Sequence, residues 1–388
     1  MPASPLTVAQ ELAPHIRACA DEIEARRELP RPLFESLADA GLFQLALPRS
    51  LGCPEIDLPD YIQVIEELGK ADASTAWAIN QGGIFATLAT RMPHKAAKAI
   101  WIDTPRAVVA NTPLATFKAV TVPGGYRVSG RGGFSTGCRH ASWLAAHATL
   151  YDGEQPRLRP NGNPETRFLF VPKPEVEIVD TWRVRGMRGT GTHHFVADGA
   201  FVPEERTVGS DPPWPPREDG TLYRFPRTLL FASGDASVAL GLARAALDAF
   251  VELAGAKTPR RVVGLLREQP MVQADVGLAE AHLRSGRALL TETVRETWAA
   301  AAAGPLALEH RAALRLAATH AIRLAAEVVD AVYNAAGATA IYESHVLQRY
   351  FQDMHVITQH IQGRRAHYEL VGRYWLGLPV EETGDTGL

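Results

Sequence analysis

Residues 182–207 read WRVRGMRGTGTHHFVADGAFVPEERT, and this stretch says more about the fold than any other part of the chain. Its second half, from His193 onward, has the short run of β-forming residues, broken by Gly and Pro, that is typical of a strand between turns. His193 and His194 are neighbours on this predicted strand, so their side chains should point to opposite faces. One of them could reach a reaction site, but a place at the surface of a β domain is favoured.

The stretch belongs to a longer region, from about residue 106 to 225, in which glycine, proline and β-branched residues are frequent. Several short strand-like segments alternate here with turns rich in Gly, Pro and Asp. TVPGGYRVSG, residues 121–130, places Pro-Gly-Gly between two alternating segments, which predicts a β-hairpin. The regular spacing of the segments predicts a small antiparallel barrel or sandwich.

Helical patterns lie on both sides of this region. ASTAWAINQGGIFATLAT, residues 73–90, is apolar on nearly all sides, as a buried helix would be. After the β region the chain returns to longer helices, which are predicted at about 228–256, 270–303, 306–337 and 344–376. Four long helices with short connections predict a four-helix bundle. The predicted fold class is α+β, with an N-terminal helical domain (1–105), a middle antiparallel β-barrel domain (106–225) and a C-terminal four-helix bundle (226–388).

Composition excludes several classes of function. The chain has 388 residues, of which 46% are apolar and 21% charged, and its net charge is −3. This balance predicts no general binding of nucleic acid or membrane, and no apolar run reaches the roughly 18 residues that span a bilayer. The three scattered cysteines include no CxxC pair, which argues against a disulfide framework and a metal site. The N-terminus does not resemble a signal peptide, so we expect a cytoplasmic protein.

The order of helices, β domain and helical bundle resembles the acyl-CoA dehydrogenase fold, and local motifs agree over nearly the whole chain. Residues 182–207 are similar to the family's W…GmrgTGS…fVP segment. SGRGGFSTGCRHASWL, residues 129–144, is similar to the strand whose Ser or Thr faces the flavin. PMVQADVGLAEA, residues 270–281, and YNAAGATAIYESHVLQRYFQDMH, residues 333–355, resemble the bundle segments that bind the cofactor and contact a neighbouring subunit.

The end of the bundle indicates which branch of the superfamily the chain resembles. In acyl-CoA dehydrogenases a Glu removes an α-proton there, commonly in a context such as YEGT. The equivalent stretch here is ITQHIQG, residues 357–363, which has His360 and neither Glu nor Asp. This pattern resembles the flavin-dependent monooxygenases of two-component systems, the branch that includes phenol, dibenzothiophene and indole-type oxygenases. The resemblance implies reduced flavin (FMNH2 or FADH2), dioxygen, a C4a-(hydro)peroxyflavin and oxygenation of an aromatic or polycyclic small molecule.

The same resemblance implies the catalytic groups. His360 would lie over the flavin, where an imidazole can donate or accept a proton near neutral pH. Thr136 would lie near flavin N5, although Ser135 is an alternative because Gly132 and Gly133 loosen the register. His355, on the same predicted helix as His360, is expected to be structural.

Further residues are implied to bind the cofactor or the substrate. Asn111 would contact the pyrimidine edge of the flavin, and Trp182 would form a wall of its ring system. In the bundle the cofactor-binding candidates are Arg261, Gln273 and, from a neighbouring subunit, Gly337. An aromatic substrate would lie in an apolar pocket beside Trp77 and Gln81.

Partners follow from the same reasoning. No GxGxxG motif follows a strand, so no NAD(P)H site is expected, and reduced flavin would come from a separate NAD(P)H:flavin reductase. The resemblance implies a homotetramer built bundle against bundle. FMN and FAD both stay open, as do C-, N- and S-oxygenation.

Two alternatives compete with this interpretation. The first is an acyl-CoA dehydrogenase or flavin oxidase with bound FAD, which needs a carboxylate base. Glu369 lies nine residues beyond His360, roughly 13 Å along a helix, which is too far. The second is a flavin-free binding or scaffold protein on the same frame. A metal-dependent hydrolase fits poorly, because no His, Asp or Glu cluster has ligand spacing.

Overall fold

The computed structural model describes residues 3–209 and 215–380. The N-terminal part is helical, with α1 Pro5–Ala18, α2 Ala20–Arg26, α3 Arg31–Asp39, α4 Leu58–Ala71, α5 Ala73–Phe85 and α6 His94–Trp101. Helix α5 is buried on nearly every side, as predicted, because it lies between the other helical parts of the chain. The side chain of Asp72 accepts the N–H of Thr75 at 2.7 Å and so caps the start of α5.

The middle part is one sheet. Its strands are β1 Val109–Asn111, β2 Phe117–Val122, β3 Gly125–Ser135, β4 Trp143–Asp152, β5 Gln155–Pro156, β6 Thr166–Pro172, β7 Val176–Val179, β8 His193–Pro203 and β9 Thr207–Gly209. Hydrogen bonds join them in the order β7-β8-β3-β2-β4-β6-β9, with β1 and β5 paired to β4. The predicted hairpin is confirmed, since β2 and β3 are antiparallel with Val122 opposite Gly125.

The prediction of an antiparallel barrel or sandwich was wrong in its detail. Strands β1 and β2 both run parallel to β4, so the sheet is mixed. Among the described residues no pairing joins the end strands β7 and β9, so the sheet is open. After β3, residues 136–142 carry the chain past β2, and β4 then lies on the other edge of β2 in the same direction. A crossover of this kind has no short-range signal comparable to a hairpin turn.

The C-terminal part is helical again, with α7 Arg227–Ala256, α8 Pro270–Ala303, α9 Leu308–Ala336, α10 Val346–Gln359 and α11 Ala366–Trp375. The three long helices begin and end within two residues of their predicted positions. The fourth predicted helix was wrong as a single element, because His360 is extended at φ −66° and ψ 151° and separates α10 from α11. Within the described residues, no helix is long and apolar enough to cross a membrane.

The N-terminal and C-terminal helices share one apolar core, and Gly234 of α7 lies directly against Asn80 of α5. A Cβ at this position would lie 1.9 Å from Oδ1 of Asn80 on α5. Gly277 of α8 is a matched contrast, since a Cβ there would meet nothing within 4 Å.

These two glycines give a paired prediction for stability. Gly234→Ala should lower the free energy of unfolding by about 2–3 kcal/mol, because α5 and α7 must separate to admit a methyl group. Gly277→Ala should raise it by about 0.5–1 kcal/mol, because alanine favours the helix without a clash. Urea titrations of both variants measure the difference. Equal stability of Gly234→Ala and the parent would contradict the close packing of α5 on α7.

Candidate functional site

His360 lies where α10 ends, and its ring faces two other helices. The imidazole packs edge-on against the indole of Trp77, with ring centroids 4.9 Å apart and planes at 86°. Its Nδ1 lies 2.9 Å from Oδ2 of Asp235 on α7. The two atoms are close but do not form a well-aligned hydrogen bond. The His360 side chain is 35% exposed, so part of the ring is accessible to a small molecule.

Asp235 is fully buried and held by amides from α5. Its Oδ1 accepts hydrogen bonds from Nδ2 of Asn80 at 2.8 Å and from Nε2 of Gln81 at 3.0 Å. The hydroxyl of Tyr61 donates in turn to Oδ1 of Asn80 at 3.0 Å. Burial, with the nearby charge of Asp235 adding to it, raises the pKa of Tyr61 well above its usual value. The carboxylate is therefore fixed by neutral donors on one side and by His360 on the other.

This arrangement selects one tautomer of the His360 ring. A carboxylate only accepts hydrogen bonds, so Asp235 favours the proton on Nδ1 of His360. The second ring nitrogen, Nε2, then carries a lone pair and can accept a proton. A buried carboxylate that orients an imidazole in this way is a common arrangement for a general base.

A row of hydroxyl groups lies on the β side of the site. Thr136 Oγ1 is 3.0 Å from Thr192 Oγ1, which is 2.7 Å from Thr190 Oγ1. Thr190 donates to the carbonyl of Met187 at 2.8 Å. Because Thr190 gives its proton to that carbonyl, Thr192 must donate to Thr190 and Thr136 must donate to Thr192. The oxygen of Thr136 is left as an acceptor at the open end of the row.

Aromatic side chains border this row. The indole N–H of Trp182 donates to the same Met187 carbonyl at 3.0 Å. Phe134 has a φ of 58°, is 62% exposed and lies 6.5 Å from the Trp182 ring, measured between centroids. A bulky residue in the left-handed region is strained, and such strain is frequent at binding sites. Asn111 is half-buried at the end of β1, opposite Ala145 of β4, and the hydroxyl of Ser135 is buried without a hydrogen-bond partner among the described residues.

Helices α5 and α10 contact both His360 and the loop that carries the hydroxyl row. The loop between β7 and β8 is anchored to α10, because Asp353 accepts the backbone N–H of Met187 at 2.5 Å. Burial raises the pKa of Asp353 to about 8, although this hydrogen bond opposes the rise. In the same loop, Gly189 packs on α5, where a Cβ would lie 2.9 Å from Cβ of Ser74, one turn before Trp77. Helices α5 and α10 therefore contact both the loop that carries Thr190 and the His360 ring.

Three predicted residues lie elsewhere, at the end of the helical part where α7 and α9 stop. Arg261, with φ 63°, is exposed in the loop after α7, and Gln273 is exposed in the first turns of α8. Gly337, with φ 59°, follows α9. Lys257, which sequence reasoning missed, fixes this turn by donating to the carbonyl of Ala336 at 2.5 Å and to Thr339 Oγ1 at 2.7 Å. A role for this group in cofactor binding stays a prediction.

Two other histidines have structural environments. His193 is fully buried, so the prediction that it lies at the surface was wrong. Its Nδ1 accepts the backbone N–H groups of Thr181 and Trp182 at 3.2 and 3.1 Å. Burial, followed by the charge of Arg139, lowers the pKa of His193 to about 4, so the ring is neutral. His355 pairs with Asp330 at 2.9 Å on the outside of α10, in accord with a structural role.

Comparisons with known proteins agree with this architecture. The acyl-CoA dehydrogenase N-terminal domain family matches residues 6–104, and the acyl-CoA dehydrogenase C-terminal domain family matches residues 233–365. Indole-3-acetate monooxygenase of Pseudomonas putida is 30% identical to the chain over 363 residues, which cover 93% of this chain and 90% of that protein.

The chain belongs to the acyl-CoA dehydrogenase superfamily, in its flavin-dependent monooxygenase branch. The oxygenase component of the FADH(2)-dependent resorcinol hydroxylase from a Rhizobium strain is 27% identical to this chain. The alignment covers 93% of this chain and 91% of that protein. The structure of XiaF from Streptomyces, solved with FADH2 and glycerol, has a TM-score of 0.86 at 25% identity and covers 97% of this chain and 95% of its own. The family predicted from residues 182–207 and from His360 is thus confirmed, and this monooxygenase is an oxidoreductase that uses reduced flavin and dioxygen.

Proposed function

We propose that this flavin-dependent monooxygenase transfers oxygen to an aromatic compound that bears an ionisable O–H or N–H group. The observation that carries the proposal is the pair formed by His360 and Asp235. Removal of a ring O–H or N–H proton pushes electron density into an aromatic ring and prepares a ring carbon to accept electrophilic oxygen. Reduced flavin, when bound, activates dioxygen for this transfer.

The polarity of the hydroxyl row fits a reduced flavin. The reduced ring system carries a hydrogen on N5, whereas N5 of the oxidised ring accepts hydrogen bonds. Thr136 presents an acceptor, because its proton is directed to Thr192 in the chain of donors that ends at Met187. Thr136 therefore suits an N–H donor. Ser135 and Asn111 are candidates to contact the remaining polar edge of the flavin ring system. Trp182 and Phe134 are candidates to line its flat faces.

His360 would act as the base in this scheme. The Asp235 carboxylate holds the ring with Nε2 free, and it stabilises the positive charge that forms when Nε2 takes a proton from the substrate. The ring also lies against Trp77, whose indole covers part of it. Gln81 would border the pocket, although its amide N–H already donates to Asp235.

An acyl-CoA dehydrogenase reaction is a poorer fit to the described residues. Asp235 is a carboxylate close to the expected position of a base, but it is fully buried, and its two oxygens already face Asn80, Gln81 and His360. Glu369 is exposed on α11. Neither carboxylate can reach the C–H bond of a substrate in the cleft.

Partners beyond the substrate belong to the same proposal. A separate NAD(P)H:flavin reductase would supply reduced flavin. The phosphate part of the flavin would be held by Arg261, Gln273 and the Gly337 region of a neighbouring subunit. A homotetramer is supported by exposed apolar side chains at that end of the helical part. They include Val263 at 96%, Met271 at 75%, Ile341 at 62% and Tyr342 at 63% exposure.

Matched substrates test the proposed role of the ionisable group. A panel of phenols and indoles, each with its O- or N-methylated analogue, is incubated with the protein, chemically reduced flavin and dioxygen. We expect the accepted parent compound to be oxygenated at least about 100-fold faster than its methylated analogue, because only the parent has a proton for His360. Mass spectrometry of the products gives the rates. Equal rates for a parent and its analogue, after correction for binding, would contradict the proposal.

A further inference from the structure

One face of α9 carries three polar side chains that contact the turn after His360. Arg315, Thr319 and Arg323 are spaced four residues apart and so lie on one side of the helix. Arg323 donates to the carbonyl of Gly363, and Thr319 Oγ1 donates to the carbonyl of Gln362 at 3.5 Å. These contacts satisfy carbonyl groups that the break between α10 and α11 leaves without helical partners.

Arg315 is the most unusual member of this face, because its side chain is fully buried. Its Nη1 donates to Oε1 of Gln362 and its Nη2 to Oγ1 of Thr228 at 3.0 Å. Gln362 completes the triangle by donating its Nε2 to the same hydroxyl at 3.3 Å. Within residues 3–209 and 215–380, no carboxylate forms an ion pair with the guanidinium. Its direct partners are neutral, and the charge of the buried Asp235 favours the cation without contacting it, so burial of this guanidinium remains costly.

The triangle lies beside the position where the geometry of His360 is decided. His360 is extended, and residues Ile361–Gly363 form a single 3-10 turn before α11. Had α10 continued through this point, the His360 side chain would follow the helical spiral instead of projecting toward Trp77 and Asp235. Gln362, two residues later, is 4% exposed and is the only side chain of this turn that bonds to both α7 and α9 among the described contacts.

We propose that Arg315 is a positioning residue for His360: it clamps Gln362 against Thr228, fixes the turn that follows His360, and thereby keeps the imidazole between Trp77 and Asp235. The consequence for catalysis rests on the function proposed for His360. The geometric part does not, and it can be measured in the protein without flavin or substrate.

Trp77 provides the readout. An imidazolium in contact with an indole quenches its fluorescence more strongly than a neutral imidazole does. The chain has seven tryptophans, so the fluorescence of the parent is compared with that of His360→Gln. The pH-dependent part that is present in the parent and absent in His360→Gln reports the contact between Trp77 and His360. The charged and titratable groups around the pair are Asp235 from α7, Tyr61 from α4, Arg315 from α9 and His367 from α11. Burial, followed by the charge of Arg315, lowers the pKa of His367 to about 4, so its ring stays neutral between pH 5 and 9.

Arg315→Met should remove at least half of the His360-dependent quench, because the turn is no longer held. Arg315→Lys should retain an intermediate amplitude, since an ammonium can bond one partner of the triangle but lacks the fork that reaches both. Arg244→Met is the control. It removes ion pairs with Asp248 at 2.8 Å and Glu280 at 2.6 Å, neither of which contacts the turn after His360. It should keep the parent amplitude of the quench.

A second variant keeps the test decisive if Arg315→Met folds poorly. In Arg315→Met/Gln362→Leu both buried polar partners are replaced by apolar groups, which is better tolerated than the loss of one partner. It should fold and show the same loss of quench. A parent-like amplitude in either folded variant would overturn the positioning role of Arg315. Absence of any His360-dependent quench in the parent would contradict the contact on which the proposal stands. Loss of the quench with parent-like oxygenation in a folded variant would support the positioning role and place the fault in the function proposed for His360 instead.

Discussion

Replacing His360 by glutamine should lower the rate of substrate oxygenation by about 100- to 1,000-fold, the usual contribution of a general base. Glutamine retains a polar side chain of similar reach but cannot take up a proton. Oxidation of reduced flavin should continue, so hydrogen peroxide should replace oxygenated product. The ratio of product formed to flavin oxidised, measured by chromatography and a peroxide assay, gives the effect.

A second histidine on α10 supplies the control for this variant. His355 also lies 2.9 Å from a carboxylate, that of Asp330, but on the outside of the helix, where both side chains are more than 40% exposed. His355→Gln should leave oxygenation within a factor of about two of the parent, as expected for an exposed pair. Equal losses in the two variants would show a general effect on α10 and would remove the assignment of His360 as base.

Asp235→Asn should lower oxygenation by about 100-fold or more, although the side chain keeps its size. The amide oxygen can still accept from Asn80 and Gln81, which places the amide N–H2 toward Nδ1 of His360. Nδ1 must then accept a hydrogen bond, so the ring proton moves to Nε2 and the base is lost. The thermal midpoint should change little, because the amide donors keep their partner.

The two variants together test whether His360 and Asp235 act as one unit. In the double variant the loss should equal that of His360→Gln alone, since Asp235 acts only through the ring. Asp330→Asn, the partner of the exposed His355, should have no measurable effect. Multiplicative losses in the double variant would mean that Asp235 has a separate role, and the tautomer argument would be wrong.

Local sequence patterns predicted much of the fold for a physical reason. The hairpin at Val122 and Gly125 and the limits of α7, α8 and α9 depend on turn residues and on helical periodicity, which neighbours in sequence supply. The parallel placement of β4 beside β2 depends on which sheet edge the chain reaches after a crossover. The break at His360 depends on side chains of α9, such as Arg315 and Arg323. Neither the strand crossover nor the contacts with α9 can be predicted from a short window of sequence.

The candidate site divides in the same way. His360 was predicted because ITQHIQG, residues 357–363, stands where the dehydrogenase relatives carry their reactive glutamate. Asp235 was missed, although a single acid in the apolar stretch FASGDASVAL, residues 231–240, is a signal that a buried carboxylate needs partners. Its partner Asn80 is 155 residues away along the chain, so only the packing of α5 on α7 reveals the pair. Thr192, which orients the hydroxyl of Thr136, was missed for a similar reason.

The most direct test of the central claim is oxygen labelling with reduced flavin as the only reductant. The protein is mixed with chemically reduced FMN or FAD, an accepted aromatic compound and 18O2, without NAD(P)H, and the product is analysed by mass spectrometry. The account predicts a product that carries one 18O atom in the parent and in His355→Gln, and nearly none in His360→Gln. Unlabelled substrate with full release of labelled peroxide from the parent, in a protein whose bound oxidised flavin is bleached by an acyl-CoA, would contradict it.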